Sequence, residues 1–426
     1  MIVESPPEYR HLALVLDHLG AGGVQKMALS LGRELVSRGH RVDLLTCEAN
    51  GRLLASVPPG IRLFELERSR SLTARIAALR ADLGGLRTML RPVLLSPRLP
   101  GVLRYTASLT SYIQQHSPEA LIAATRLINL MTVWAARLSG VPVRVLVSER
   151  NPPSMALAGS RRWRRRYLPP LMARTYQSAD AIVAVSQGVA ADLIGLTGLP
   201  ADRVVTIYNP VVSEDIAALE SAPVAHPWFA PGQLPIVLAA GRIADQKDYP
   251  TLIQAFAHLR RRRSAHLVIL GEANNGEKAG DLREALLGLA RELRVESDVD
   301  LAGYVANPCA YMSRATVFVL PSRFEGFGNA LVEAMACGCP VVSTNCPGPR
   351  EILEAGRYGE LVPVGDSEAM ASAIERAMIG RYVVPSVRDR AAVFTASAAA
   401  DAYLRALFGE TREDRSSQDI ASRAAA

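Results

Sequence analysis

Short apolar runs alternate with amphipathic stretches along most of the chain. Residues 11–16, 41–46, 61–66, 120–124, 143–148, 181–185 and 204–208 are short, mostly apolar stretches that read as strands. Between them, 24–37 has helical period, with Met27, Leu31 and Leu35 on one face and Gly39 closing it. Residues 72–90 are predicted to form one helix in which Arg75, Arg80 and Arg87, followed by Arg91, stand among leucines and alanines; 102–115 reads as a further helix. Asn209-Pro210 interrupts the alternation, and the proline-rich stretch 222–235 reads as a connector. The same alternation then resumes, with strands predicted at 236–240, 266–270, 299–303, 316–320, 340–344 and 360–364. Helices are predicted at 249–261, 281–293, 329–337, 349–355 and 367–378. A long Ala-rich helix, 386–408, comes next, and 409–426 has the polar, charged composition of a disordered tail. Strand and helix in strict alternation predict an α/β protein of two similar domains, 1–210 and 211–385.

The order strand, Gly-rich loop, helix at 316–338 aims backbone N–H groups and the positive end of a helix dipole at one point. Gly326 and Gly328 let the backbone approach a ligand, Gly328 or Asn329 caps the helix, and Gly338 stops it. Glu325 precedes the helix and Glu333 lies about one turn inside it. Carboxylates hold sugar hydroxyls and helix N–H groups hold phosphate, so a nucleotide sugar suits the stretch; a buried turn with one solvated and one salt-bridged glutamate is the plainer reading. After the strand at 236–240, Arg242 and Lys247 sit five residues apart on a loop that also carries Asp245 and Asp248. Two cations beside a helix N-terminus can neutralise a departing diphosphate; a surface Arg/Lys pair is the alternative. The loop at 17–23 carries Gly20, Gly22 and Gly23, but Gln25 stands where a dinucleotide fingerprint needs its third small residue, so neither NAD nor FAD is inferred. The strand at 143–148 ends in Glu149-Arg150-Asn151. These three are candidates to contact an acceptor, since strand C-terminal ends line the crevice of open sheets; a salt-bridged loop fits equally.

Composition narrows the chemistry further. A chain of 426 residues holds two or three domains, and its formal charge of +7 suits acidic partners such as diphosphates or anionic lipid. The charge is almost all arginine, since the lysines are Lys26, Lys247 and Lys278; Lys247 stands out against that background. The run Arg161–Leu168 is either a solvated helix face or a patch for anionic lipid or a lipid-linked diphosphate; no nucleic-acid module accompanies it. Five cysteines without metal spacing read as buried thiols in a reducing cytosol. Residues 1–10 are too polar for a signal peptide, and charges break every apolar stretch short of a spanning helix. Localisation is therefore expected to be cytoplasmic, with peripheral contact on the inner membrane face.

Three groups of residues carry a family resemblance. Gly241-Arg242 with Gln246-Lys247-Asp248-Tyr249-Pro250, Gly303-Tyr304-Val305 with Asn307-Pro308, and Glu325-Gly326-Phe327-Gly328 with Glu333-Ala334 resemble the retaining glycosyltransferases of family 4, of GT-B fold. Gly22-Gly23-Val24-Gln25 is similar to that family's N-terminal glycine loop. The resemblance implies two Rossmann-like domains facing across a cleft, with the final helix returning to the first. It implies that Arg242 and Lys247 bind the donor diphosphate, that Glu333 holds the ribose, and that Tyr304 and Val305 lie near the base. Glu325 and the backbone of Gly326, Phe327, Gly328 and Asn329 would hold sugar and phosphate. Many relatives carry a His on the first-domain side, where this chain has Glu149-Arg150-Asn151. The Ser-Glu-Arg-Asn string is similar to a subgroup that extends polyprenyl-diphosphate-linked glycans. The expectation is metal-independent transfer of a hexose or N-acetylhexosamine, with no cofactor, from a UDP-sugar to a glycan or lipid-linked acceptor of cell-surface polysaccharide. A nucleotide-sugar epimerase of the same fold and a non-catalytic nucleotide-sugar- or membrane-binding protein are the alternatives.

Overall fold

The computed structural model describes residues 9–20, 22–97, 99–158, 162–213, 215–273, 279–380 and 385–409. The expected tail (410–426), most of the non-signal N-terminus (1–8), Arg161 and Lys278 lie outside the described residues. The chain divides into two compact units: one runs to Pro210 and takes back the segment from Ala396, and the other is Val211–Thr395.

The first unit is built on an all-parallel seven-stranded sheet of order β3-β2-β1-β4-β5-β6-β7. Its strands are β1 (His11–His18), β2 (Arg41–Glu48), β3 (Ile61–Glu65), β4 (Ala120–Ala124), β5 (Arg144–Glu149), β6 (Ala181–Ala184) and β7 (Val204–Thr206). Leu14 of β1 registers with Leu44 of β2 and Ile122 of β4. Side chains alternate between faces. Ala13 and Val15 enter one core layer with Ile113, Met131 and Trp134. Leu12, Leu14 and Leu16 enter the other with Met27, Leu31 and Leu35, the apolar face of helix Gly23–Ser37.

The second layer is completed by helix Ala396–Phe408, whose Ala400, Tyr403 and Leu407 are buried in it. Small side chains let this helix lie close, and polar contacts fix it. Arg38 donates to Asp401 Oδ1 at 2.5 Å and to the Ser397 carbonyl at 3.0 Å, and Arg144 donates to the Leu407 carbonyl at 2.7 Å.

The second unit carries a six-stranded parallel sheet of order β10-β9-β8-β11-β12-β13. Its strands are β8 (Ile236–Ala240), β9 (His266–Leu270), β10 (Val299–Gly303), β11 (Val317–Leu320), β12 (Val341–Thr344) and β13 (Glu360–Val362). Every residue of β8, β9, β11 and β12 is buried, and each is largely apolar, with His266 opening β9 and Ser343 and Thr344 closing β12. Cys47, Cys309, Cys337, Cys339 and Cys346 are all buried, and none forms a disulfide.

Two predicted helices are broken. The segment expected as 72–90 is helix Ser71–Ala81, a 3-10 turn Leu83–Gly85, a short helix Leu86–Met89 and a π turn Leu90–Leu94. The break falls at Asp82, whose carboxylate is held by Arg174 at 2.6 and 2.7 Å. The helix expected as 386–408 is Val387–Ala391 and Ala396–Phe408. Between them the Phe394 carbonyl accepts the Val211 and Val212 N–H groups at 2.9 and 3.0 Å, which diverts the backbone from the helical path.

Candidate active site

β8 and β11 are neighbours from which the second sheet grows in opposite directions. The connections leaving their C-terminal ends therefore part, and the crevice at such a reversal is where open parallel sheets bind ligands. The two stretches singled out from the sequence both end there.

After β8 the chain turns at Gly241, φ 151°. A Cβ on Gly271, at the end of β9, would stand 1.9 Å from the Gly241 carbonyl oxygen, so the two strand ends meet backbone to backbone. A 3-10 turn, Asp245–Lys247, and Asp248 at φ 46° lead into helix Tyr249–Arg260. The Tyr249 hydroxyl donates to the Gly241 carbonyl at 2.9 Å. Burial, and then the charge of Glu325, push its acidity constant far above the ordinary phenol range, so it remains a neutral donor.

The loop after β8 is laced to the loop after β11. Gln246 Nε2 donates to the Phe324 carbonyl at 3.0 Å, and the Arg323 N–H donates to the Gln246 carbonyl at 2.8 Å. The Arg323 guanidinium reaches Asp248 Oδ1 at 3.1 Å. At the centre, Lys247 Nζ lies 2.5 Å from Glu325 Oε1, which also accepts the Ser322 hydroxyl at 2.7 Å. The Lys247 and Glu325 side chains are only 15% and 9% exposed, so each charge depends on the other. The end of β12 fastens the same loop: Thr344 Oγ1 donates to the Ser322 carbonyl at 2.6 Å.

Gly328, φ 118°, is the N-cap of helix Asn329–Ala336, which closes through Cys337 and Gly338. Gly326 and Phe327 are buried, Asn329 and Glu333 half-buried. Phe327 packs edge-on against Phe394, ring centroids 5.2 Å apart. A Cβ on Gly348 would stand 2.3 Å from the Phe327 carbonyl oxygen, so glycine is what lets helix Pro347–Ile352 approach the loop. Arg242 is exposed, one residue past Gly241; Tyr304 and Val305 follow β10, exposed and half-buried. The Tyr304 N–H donates to Glu272 Oε1 at 3.4 Å. The structure thus brings Lys247 onto Glu325, beside the helix N-terminus, and sets Arg242, Tyr304 and Val305 on the same edge of the sheet. Glu272 and Gly348 were not anticipated. The signal for Glu272 is its place directly after the apolar run 266–270, and for Gly348 a lone glycine opening a helix.

In the first unit the sheet reverses between β1 and β4. Gly22 caps helix Gly23–Ser37, and the Lys26 N–H donates to the Gly22 carbonyl at 3.1 Å; Ala21 lies outside the described residues. Gln25, in place of a third glycine, is buried and donates to Asp17 at 3.4 Å. At the end of β5 the expectation of an acceptor-contacting trio needs correction. Glu149 is 3% exposed and accepts the Tyr176 hydroxyl at 2.5 Å. Burial raises its pKa above the ordinary carboxylate value, against the opposing pull of the Arg126 charge and of hydrogen bonds from Tyr176 and Asn129. Arg150 is 6% exposed; it donates to Asn209 Oδ1 at 2.9 Å and to the Tyr403 hydroxyl, tying β5 to the C-terminal helix. Both side chains are therefore turned into the unit, and Asn151 alone of the three is exposed. Beside them, Thr125 is held at φ 91°, unusual for a β-branched residue, at the start of helix Arg126–Ser139.

Residues 21–215 match the family model described as Glycosyltransferase Family 4, and residues 234–379 match the model described as Glycosyl transferases group 1. The chain thus carries a glycosyltransferase family 4 domain followed by a glycosyl transferases group 1 domain. Over 238 residues it is 32% identical to the N-acetylgalactosamine-N,N'-diacetylbacillosaminyl-diphospho-undecaprenol 4-alpha-N-acetylgalactosaminyltransferase of Campylobacter jejuni, covering 55% of this chain and 60% of that one. Over 240 residues it is 30% identical to the lipopolysaccharide core biosynthesis glycosyltransferase LpsE of Rhizobium meliloti, covering 54% and 65%. The matched stretch spans less than two thirds of either relative. Among solved structures, Anabaena HepE in complex with UDP-glucose superposes with a TM-score of 0.65 at 19% identity, covering 93% of this chain and 95% of that one. WaaG, a glycosyltransferase involved in lipopolysaccharide biosynthesis, gives 0.64 at 16%, covering 93% and 100%. These likenesses establish the fold of the chain as GT-B, with two Rossmann-like units.

Proposed function

We propose that this protein transfers a hexose or N-acetylhexosamine, with retention at the anomeric carbon, from a UDP-sugar to a glycan or polyprenyl-diphosphate-linked acceptor of cell-surface polysaccharide. The observation that carries the reading is the Lys247–Glu325 pair, held between two laced loops at the sheet reversal and beside a glycine-capped helix. Lys247 and Arg242 draw charge from the departing diphosphate, and the turn Gly326–Asn329 offers its backbone to phosphate and sugar. These groups supply the positive charge without a metal. Glu325 positions Lys247 and orients the sugar, Glu333 takes the ribose hydroxyls, and Tyr304 and Val305 flank the base. From the first unit, Gly22 and Gly23 are assigned to donor binding and Asn151 to the acceptor. The relatives' names support a UDP donor and a lipid diphosphate acceptor: HepE was solved with UDP-glucose, and the Campylobacter enzyme is named for a diphospho-undecaprenol substrate.

No helix among the described residues is long and apolar enough to cross a membrane. Peripheral contact with an anionic membrane, on its cytoplasmic face, is supported by Leu72, Leu83, Leu86, Leu90 and Leu95, which are 40–71% exposed in the same segment as Arg75, Arg80, Arg87 and Arg91.

The test is transfer from a panel of UDP-sugars by wild type, Arg242→Ala, Lys247→Ala and Glu325→Ala. If each cation acts like one oxyanion donor, its loss costs about 2–4 kcal/mol of barrier, or roughly 10²–10³ in kcat. Near wild-type turnover in all three variants would end the reading.

A further inference from the structure

The first unit encloses a pocket that the chemistry above leaves unused. Its cavity volume is about 70 Å³, and it is bounded by helices Arg126–Ser139, Pro153–Ala158 and Arg162–Tyr176 and by Pro92, Val93, Pro100 and Leu103. Its walls are aliphatic: Val93, Leu103, Leu130, Leu157 and Leu171 are each 3% exposed or less. One charged side chain lines it, Arg126, whose Nε is buried and has no hydrogen-bond partner among the described residues. A buried guanidinium N–H without an acceptor is costly and rare, and an anionic ligand removes the cost. The charge of Glu149 acts on Arg126, but burial holds that carboxyl toward its neutral form.

Two independent features agree with an amphipathic ligand here. Arg126 opens its helix at the C-terminal end of β4, beside the sheet reversal and the strained Thr125, where a strand end presents groups to a ligand. The wall segment itself continues into exposed apolar side chains. Leu90 and Leu95 bracket the π turn that supplies Val93, and Met155, on the helix that supplies Leu157, is 44% exposed. The apolar lining thus runs on to an apolar, arginine-studded surface, as a ligand with a long hydrocarbon chain requires.

We propose that this pocket binds the phosphate-proximal hydrocarbon of a lipid phosphate, alkyl or isoprenoid, with Arg126 on the phosphate, and so selects the lipid portion of the acceptor. The assignment rests on the reading of the acceptor as lipid-linked. It is tested on the full chain by calorimetric titration with farnesyl diphosphate, inorganic diphosphate and phosphatidylglycerol vesicles. Wild type, Arg126→Gln and Leu127→Glu are compared, the last adding a repelling charge to a half-exposed wall residue. Farnesyl diphosphate is expected to bind at least tenfold more tightly than inorganic diphosphate. Both substitutions are expected to weaken it tenfold or more while leaving UDP affinity and vesicle binding unchanged, and a wild-type melting profile shows that each variant is folded. Equal affinity for the two diphosphates, or farnesyl binding indifferent to both substitutions, overturns the proposal. So does loss of vesicle binding alone, which would assign the pocket to bilayer lipid. Transfer to a lipid-linked acceptor with unchanged lipid KM in Arg126→Gln would sink the pocket and spare the transferase; farnesyl binding without any sugar transfer would do the reverse.

Discussion

Gly348→Ala separates two opposing effects of one methyl group. Gly348 is the second residue of helix Pro347–Ile352, so on propensity alone alanine gains at most about 1 kcal/mol. The added carbon, however, meets Phe327: the carbonyl oxygen at 2.3 Å, Cα at 2.7 Å and the carbonyl carbon at 2.8 Å. Carbon atoms pack at about 3.5–4.0 Å, so Phe327 must retreat by about 1 Å. It cannot do so freely, because its ring is 3% exposed against Phe394 and the preceding loop is pinned by Ser322, Gln246 and Lys247. Overpacking of this kind costs about 1–3 kcal/mol. The steric term wins, and the net loss of about 1 kcal/mol lowers the melting temperature by about 2–4 °C in a unit of this size. The same displacement moves the Gly326–Gly328 backbone, and a misplacement of about 1 Å at a reacting centre costs up to about 10²-fold in rate. The assay is differential scanning fluorimetry, with kcat and donor affinity measured in parallel. Gly195→Ala is the control: Gly195 lies in helix Gln187–Thr197 with nothing within 4 Å of the added carbon. That variant is expected to gain about 0.5–1 kcal/mol. If Gly348→Ala is stabilised like Gly195→Ala and keeps wild-type kinetics, the loop is not held where the structure puts it.

Two further predictions concern buried charge. Lys247→Met leaves Glu325 with the Ser322 hydroxyl as its remaining side-chain donor among the hydrogen bonds described above, and is expected to cost about 2–4 kcal/mol in urea unfolding. Adding Glu325→Gln is expected to recover at least half of that loss, whereas strict additivity of the two substitutions would refute the pairing. For Glu149, burial raises the folded-state pKa above its ordinary value of 4.5. Its contribution to stability is therefore full below that value and declines as pH rises from there through the folded pKa. Glu149→Gln keeps an acceptor for Tyr176, so its melting temperature is expected to gain on wild type steadily from pH 4 to pH 8. A gap that narrows with pH would contradict the assigned environment.

The central strands of both sheets were legible because burial on both faces favours apolar residues. Every position of β4 and β8 is buried, and each is a continuous apolar run. The helix breaks are set by local glycines and by long-range partners together. Gly84-Gly85 is the overlooked signal after Asp82, and Arg174, 92 residues away, claims the Asp82 carboxylate at the break. Nothing in the Ala-rich stretch after Val387 signals a stop. The interruption is made by Phe394, whose ring meets Phe327 and whose carbonyl takes two N–H groups from Val211 and Val212.

Legibility of the site divides along the same line. Arg242, Lys247 and Glu325 could be placed because strand, short loop and helix fix where each backbone position lies, and the sheet reversal does the rest. Side-chain direction is a different matter. A polar residue at a strand end reads the same whether it faces a ligand or a core, and Glu149 and Arg150 were read as facing out. What separates the cases is the supply of partners. Arg150 finds Asn209, Tyr403 and the Met27 sulfur, all distant in sequence, and serves as a tie between β5 and the last helix. Arg126, at the end of β4, keeps a buried Nε with no hydrogen-bond partner among the described residues. The Nε of Arg150 also lacks a partner, but its terminal nitrogens are taken by Asn209 and Tyr403, whereas the Arg126 guanidinium makes no hydrogen bond among the described residues, so the second, not the first, is the place where an anion belongs.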